Sequence, residues 1–362
     1  MGYRVSVITP VYNAEKTLER AFNSIKIQTI GFENIEYLLI DDCSTDGSYD
    51  TICRMAKEYP NVKALKTNKN SGAPGAPRNI GLENATAPYI MFLDNDDEYV
   101  ETACEALVKA VESYSCDSIK ARHYMLCGDK KKIEDRAFNL TKGKQYIFDE
   151  DWWLLFWGYC PLVWDKIFRR DIIDKYSLRF PEGSLGEDDV FSFMYAVASK
   201  TVVMTDDIVY CRHMSETSLS EGLRKKSCRK LAPSFVWMFK RAGEIGLKAR
   251  FDKAMDKAGY IVCILDYILE DERGSSREEI DKLLKDWAPV FSYAYDNGFN
   301  LYSAESKIIF RDLYQKQYQN AVDDFFMLQE LKEQRKKELD DIFNSTTWKI
   351  ASAVQKLKFW SK

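Results

Sequence analysis

At 362 residues, with 46% hydrophobic and 30% charged side chains, the chain has an ordinary globular composition. It is long enough to bury a sizeable core, as one large domain with an appendage or as two domains. A formal net charge of -4 argues against general nucleic-acid affinity, and no apolar run reaches the ~20 residues that a bilayer span needs.

The N-terminus, MGYR, runs directly into a strand pattern, without the apolar segment and cleavage site of a signal peptide, which predicts a cytoplasmic protein. Arg4–Thr9 reads as a strand ended by Pro10, and Ala14–Ile27 carries Leu18, Phe22 and Ile25 at a helical period. Tyr37–Ile40 is the next strand. It ends in Asp41-Asp42 and a turn of capping residues through Ser48, which starts a helix to Tyr59. Val62–Lys66 is a third strand, followed by the small-residue loop Asn70–Asn79. There Gly72 and Gly75 let backbone approach a ligand closely or form a plain surface turn.

Tyr89–Leu93 reads as a strand buried on both faces, and it runs straight into Asp94, Asp96 and Asp97. Crowded carboxylates repel one another when ionised, and a hard divalent cation with oxygen ligands relieves the repulsion; otherwise the segment is a solvated acidic turn. Asp94 and Asp96, two apart, point to one side of an extended chain. Four strands with helical crossovers predict a mostly parallel sheet, in which ligands sit beyond the carboxyl ends of the strands. Three of those ends carry distinctive chemistry, at Pro10–Asn13, Asp41–Asp42 and Asp94–Asp97, and one site accounts for all three.

Thr102–Ser115 reads as an amphipathic helix and Asp117–Tyr124 as a strand, whereas Leu126–Glu150 loses periodicity and suggests a hairpin or variable insertion. Trp152–Trp164, WWLLFWGYCPLVW, is the most aromatic stretch and reads as core or as a sugar-packing face. Lys166–Arg170 reads as a short strand entering a helix. Gly186 then precedes Glu187, Asp188 and Asp189, acids favoured in a helix's first turn. Val202–Thr205 and Ile208–Cys211 read as closing strands. His123 is assigned a structural role, and the nine cysteines, without a C-x-x-C pair, read as reduced thiols in the core.

From about Arg224 only helical periodicity remains, over Leu231–Ile245, Ala249–Glu270, Glu278–Asn297 and Ser303–Phe343. The charged run Glu330–Asp341 leaves open a solvated helix or a coil binding a partner, including a second copy of the chain. After Asp341 no acid occurs. Trp348, Ile350, Val354, Leu357, Phe359 and Trp360 alternate with lysines, a pattern that suits the headgroup layer of an anionic membrane or docking on protein.

The segments TPVYN, LIDDCSTDGS, NSGAPGAPRNIGLENA and YIMFLDNDDEYV, in this order and spacing, resemble the nucleotide-sugar-binding half of a family 2 glycosyltransferase. The resemblance covers about residues 3–220. It implies the GT-A fold, a Rossmann-like α/β architecture with a mostly parallel sheet and helices on both faces, followed here by a C-terminal helical appendage. The organisation it suggests is a catalytic domain over 1–220, a helical region over 221–343 and a basic amphipathic helix over 344–362. It also implies an inverting transferase that uses Mn²⁺ or Mg²⁺, a nucleotide-sugar donor of UDP type and a glycan or lipid-linked acceptor, working in the cytoplasm or on the inner face of the membrane.

By position, the resemblance places Pro10 and Tyr12 in the nucleotide pocket, Asp42 on the base, and Arg78 against the nucleotide or Asp42. Asp94 is expected towards the ribose and the metal, Asp96 on the metal, and Arg212 on the diphosphate, with His213 as a third metal ligand. The residue before Arg78 is Pro77 where the family pattern has alanine, which stiffens the loop. In the E-D-x-x-F pattern Asp188 is the expected catalytic base, with Glu187 orienting the acceptor or the neighbours of Asp188, and Asp189 as the rival base. The segment Tyr210–Ser220 resembles the family's stretch that closes over the diphosphate. Two other functions stay open: a sugar nucleotidyltransferase, which would want a glycine-rich basic loop after the first strand where TPVYNAEKT stands, and an inactive membrane-held adaptor, which would have lost its acids.

Overall fold

The computed structural model describes residues 2–127, 130–134, 141–152, 158–159, 162–213, 228–299 and 304–344. The chain forms two compact units, Met1–Tyr260 and Ile261–Lys362.

The first unit is built on alternating strands and helices: β1 (Val5–Val11), α1 (Leu18–Lys26), β2 (Ile35–Asp41), α2 (Ser48–Glu58), β3 (Val62–Lys66), α3 (Gly75–Asn84) and β4 (Tyr89–Phe92). In space these strands run β3-β2-β1-β4, all parallel, as helical crossovers require. All the carboxyl ends therefore open on one edge. The sheet continues through antiparallel β9 (Lys166–Arg169) to β6 (Ser118–Cys127), β10 (Thr201–His213) and the short β5 (Glu98–Tyr99). β10 runs parallel to β6, and β5 lies antiparallel on β10. Two more antiparallel strands, β7 (Lys130–Glu134) and β8 (Gln145–Ile147), pair with β6 and β10 respectively. They account for part of the aperiodic stretch after Leu126.

β10 is one strand where periodicity suggests two. Its register shifts between Met204 and Tyr210, around the exposed Asp206-Asp207, so a bulge joins the halves while the polar pair hides their continuity in the sequence.

Both faces of the sheet are buried. Val5, Val7, Val11, Leu39, Met91 and Leu93 share a core with Leu18 and Phe22 of α1 and with Leu107 and Val111 of α4 (Ala103–Tyr114). The alternate residues look the other way: Phe92 packs edge-on against Phe168, Phe180 and Phe191, and α3 lies so close that a Cβ on Gly81 would sit 2.4 Å from the Ile8 side chain. On this side lie α5 (Arg170–Lys175) and α6 (Glu187–Ala198); α6 in turn packs against α7 (Cys228–Glu244) and α8 (Lys248–Ala258).

The period over Ala249–Glu270 suggests one helix, but Gly259 at φ +63° ends α8 and α9 (Tyr260–Asp271) begins anew. A single left-handed residue leaves the apolar spacing almost unchanged, so periodicity cannot reveal it. The second unit continues with α10 (Arg277–Asp296), α11 (Ala304–Tyr314) and α12 (Tyr318–Asn344). Ser276 and Glu279 form a reciprocal capping box that fixes the start of α10. Trp287, Phe291 and Phe310 stack in its core, and Lys316 at φ +58° separates α11 from α12. From Glu333 to Asp341 every residue of α12 is exposed. Among the described residues no helix is long and apolar enough to cross a membrane. The tail after Asn344 lies outside the described residues.

Candidate active site

The centre of the site is Arg78, on the first turns of α3 and 1% exposed. Its guanidinium donates to Asp94 Oδ1 at 2.8 Å, to Glu187 Oε1 at 3.0 Å and to Asp188 Oδ1 at 2.5 Å, and it lies 5.4 Å from the Phe180 ring centre. One cation thus faces three carboxylates brought from two distant stretches of chain. Burial opposes the charge on Arg78, but Asp188, Asp94 and Glu187 more than reverse this and raise its pKa. Asp188 is raised to about 7, above all by burial; Arg78 opposes the rise, and Glu187 and Asp94 add to it. Glu187 is raised as well, mainly by burial.

The backbone explains how these groups meet. Asn79, next to Arg78, receives the Phe180 N–H at 2.8 Å and donates to the Phe180 carbonyl and to Glu182 Oε1, both at 3.0 Å. α3 therefore grips the segment that leads into α6. Gly186, at φ +80°, turns that segment into the helix, whose first turn carries Glu187 and Asp188.

The acidic turn after β4 is held at several points. Arg20 of α1 donates to the Asp96 carbonyl, and Asn95 Nδ2 donates to the Pro10 carbonyl at 2.9 Å. The Tyr210 hydroxyl accepts from the Asp94 N–H at 3.2 Å and donates to Asp97 at 2.9 Å. Asp97, almost fully buried, also accepts the His213 backbone N–H at 2.7 Å, so β10 is tied to the turn. Burial raises Asp97 well above the usual carboxylate range, and the charges of Asp96 and Asp94 add to this. Asp96 is raised by burial and then by Asp94, and lowered by Arg20 and Arg212.

At the ends of β1 and β2, the Asp42 N–H donates to the Val11 carbonyl at 2.7 Å, which sets Tyr12 beside Asp42. Tyr12 is 48% exposed, a free aromatic face at the rim. Asp42 is buried and accepts from Ser71 N–H and Oγ and from Thr67 Oγ1. Its partners are therefore residues just after β3, and the guanidinium of Arg78 is turned to Asp94 and α6 instead. Asp41 accepts the Ser44 N–H at 3.1 Å and faces Lys66 Nζ at 3.5 Å, a structural role. Arg212 lies on β10, within electrostatic reach of Asp96.

Asp94 and Asp96 offer oxygen donors, and Asp96 is raised first by burial and then by the charge of Asp94, a set that suits Mg²⁺ or Mn²⁺. The His213 imidazole lies against Glu98, Nε2 to Oε1 at 3.2 Å. His123 is buried edge-on against Trp164 and 3.7 Å from Asp165, whose other partners are Lys120 and Lys166. Of the aromatic stretch, Trp152, Tyr159 and Trp164 are buried core; residues 153–157, 160 and 161, like 214–220, lie outside the described residues.

The family described as Glycosyl transferase family 2 matches residues 6–176, which contain the acidic turn and the Arg78 helix. Residues 6–176 belong to glycosyl transferase family 2. The chain is similar to a poly(ribitol-phosphate) beta-glucosyltransferase of Bacillus spizizenii, 30% identical over 211 residues, which are 57% of this chain and 32% of that protein. It is also similar to the poly(ribitol-phosphate) beta-N-acetylglucosaminyltransferase TarP of Staphylococcus aureus, 31% identical over 209 residues, 57% of this chain and 62% of TarP. The chain thus spans less than two thirds of the length of these relatives. Among solved structures, S. aureus TarS 1–349 in complex with UDP-GlcNAc superposes with a TM-score of 0.74 at 18% identity, over 91% of this chain and 92% of that one. The α/β fold of the family 2 domain followed by a C-terminal helical region is therefore the TarS fold.

Around the site stand residues whose contacts the sequence did not reveal. Asn79 belongs to the Pro-Arg-Asn segment and was legible as part of a motif, although its role as a latch was not. Arg20 sits on the polar side of an ordinary amphipathic helix, and nothing local distinguishes it. Tyr210 and Asp97 meet only because β10 returns beside β5 and the end of β4.

Proposed function

We propose that the chain is an inverting glycosyltransferase that moves a sugar from a nucleoside diphosphate donor of UDP type to a hydroxyl of a glycan or lipid-linked acceptor. Residues 1–220 would form its catalytic domain. The observation that carries this reading is the Arg78 cluster: Asp94, from the acidic turn after β4, and Asp188, from the start of α6, share one buried guanidinium at the carboxyl edge of the sheet. The relatives named for transfer to poly(ribitol-phosphate) and the TarS complex with UDP-GlcNAc support a UDP-sugar donor and a polyol-phosphate polymer as the acceptor class. The apolar side chains interleaved with lysines after Asp341 support attachment to the inner face of an anionic membrane, beside such an acceptor.

In this reading Tyr12 stacks on the base, Pro10 shapes its pocket and Asp42 accepts from its ring N–H. Asp94 takes the ribose side, and Asp94 and Asp96, with His213 swung from Glu98, would hold Mn²⁺ or Mg²⁺. When bound, the ion supplies positive charge where the departing diphosphate gathers negative charge. Arg212 adds a fixed cation beside it. Asp188 removes the proton of the acceptor hydroxyl as its oxygen attacks the anomeric carbon, and the bond to the diphosphate breaks with its electron pair. Glu187 and Arg78 hold Asp188 in place. Incubation with UDP-sugars and Mn²⁺, with wild type and Asp188→Asn, tests the reading by donor hydrolysis or transfer. Activity lost in the variant supports it; a wild type inert against a broad donor and acceptor panel, yet still associated with anionic vesicles, points to the adaptor.

A further inference from the structure

On the edge of the sheet, beside the acidic turn, a second set of donors converges. β5 and β10 pair antiparallel with Glu98 opposite Cys211, and His213, two residues further along β10, faces the same way. The ligand atoms of Glu98, Cys211 and His213 all lie within 4.8 Å of one another, with His213 Nε2 3.2 Å from Glu98 Oε1. Cys211 forms the floor, 4% exposed, while the side chains of Glu98 and His213 are 33% and 26% exposed, so the cluster opens to solvent on one side.

We propose that Glu98, Cys211 and His213 form a binding site for a borderline divalent cation, Zn²⁺, distinct from the Asp94/Asp96 pair. One thiolate, one imidazole and one carboxylate make a donor set that zinc takes tetrahedrally, with the open side left for water. Mg²⁺ and Mn²⁺ prefer oxygen donors, so the thiol selects against them here. The frame is built before any ion arrives: two ligands are register partners across paired strands, and the third has its backbone N–H fixed on Asp97 at 2.7 Å. Binding displaces the thiol proton to solvent. A consequence follows that rests on the proposed transferase activity. His213 cannot serve zinc with Glu98 and Cys211 and, at the same time, a hard ion held by Asp96. Zinc therefore acts as an inhibitor that competes with Mn²⁺.

Cobalt titration of the full-length protein tests the site without turnover. The expected result is a thiolate-to-Co²⁺ charge-transfer band in the near ultraviolet that saturates with one ion, disappears on Zn²⁺ addition and is absent in Cys211→Ala. Should Cys211→Ala not fold, Glu98→Gln, at a half-exposed position, is expected to weaken Zn²⁺ binding by more than ~10-fold. No band in the wild type, or an unaltered band in folded Cys211→Ala, overturns the site. A second arm measures Mn²⁺-supported transfer with added Zn²⁺: wild type is expected to be inhibited, and Cys211→Ala to need at least tenfold more zinc. A wild type that shows the cobalt band but equal zinc sensitivity in both proteins overturns the inhibitory role. A wild type with the band and no transfer at all counts against the transferase reading alone.

Discussion

Arg78 has a single charge to divide among Asp94, Glu187 and Asp188, and that shortage sets the chemistry of the site. Burial lifts Asp188 to about 7, well above the usual carboxylate range, so the folded state binds its proton more tightly than the unfolded chain does. The stability this contributes is fully present below about pH 4 and is lost as pH rises through 7. Asp188→Asn removes the dependence, so its Tm in metal-free buffer is expected to gain on the wild type between pH 4 and 7. Under the proposed transferase reading, in which the Asp188 carboxylate accepts the acceptor's proton, kcat/KM is expected to show an acid limb near pH 7, and at pH 8 Asp188→Asn is expected to lower kcat by ~10²-fold or more in a transfer assay. Arg78→Met leaves the three acids without their cation and is expected to cost about 3–5 kcal/mol at pH 8, read by denaturant unfolding. The loss should shrink at pH 5, where Asp188 carries its proton in the folded state.

At the scale of elements, the site depends on how α6 begins. Gly186 sits at φ +80°, and a Cβ there would meet Leu231 Cδ2 of α7 at 2.7 Å. Gly186→Ala is expected to cost ~1–2 kcal/mol from the left-handed backbone alone. It should lower kcat more than it changes donor affinity, since Asp188 follows the turn while the donor pocket does not. Asn79→Ala opens the latch between α3 and the segment before α6, and the same split, read by steady-state kinetics and donor thermal shift, is expected. The sequence displayed most of these elements: β1 to β4 as apolar runs, Gly186 as a chain break, and Glu187 and Asp188 as first-turn acids. It did not display β5, two residues long, or the bulge that makes β10 one strand, because neither carries a periodic signal of its own.

For the molecule as a whole, the two compact units are expected to unfold in separate transitions. Calorimetry should resolve two transitions, and UDP with Mn²⁺ should shift only that of the unit carrying the family 2 domain, by about 2.7 kcal/mol at a hundredfold excess over Kd. A single transition that shifts as one would contradict this. The charge balance of -4 bears on partners rather than on fold, and the run of exposed residues at the end of α12 shows where chain that reads as helix contributes nothing to a core.

Local pattern fixed which stretches become strands and helices and which strand ends carry acids, because period and capping act over a few residues that the sequence holds side by side. The partners of those acids lay beyond its reach. Arg78 and Asp188 stand 110 positions apart, and Glu98 and His213 stand 115. Both pairs meet only after α3 and α6 dock on one face of the sheet and β10 returns along its edge, since distance in space is set by packing that no local window of residues contains.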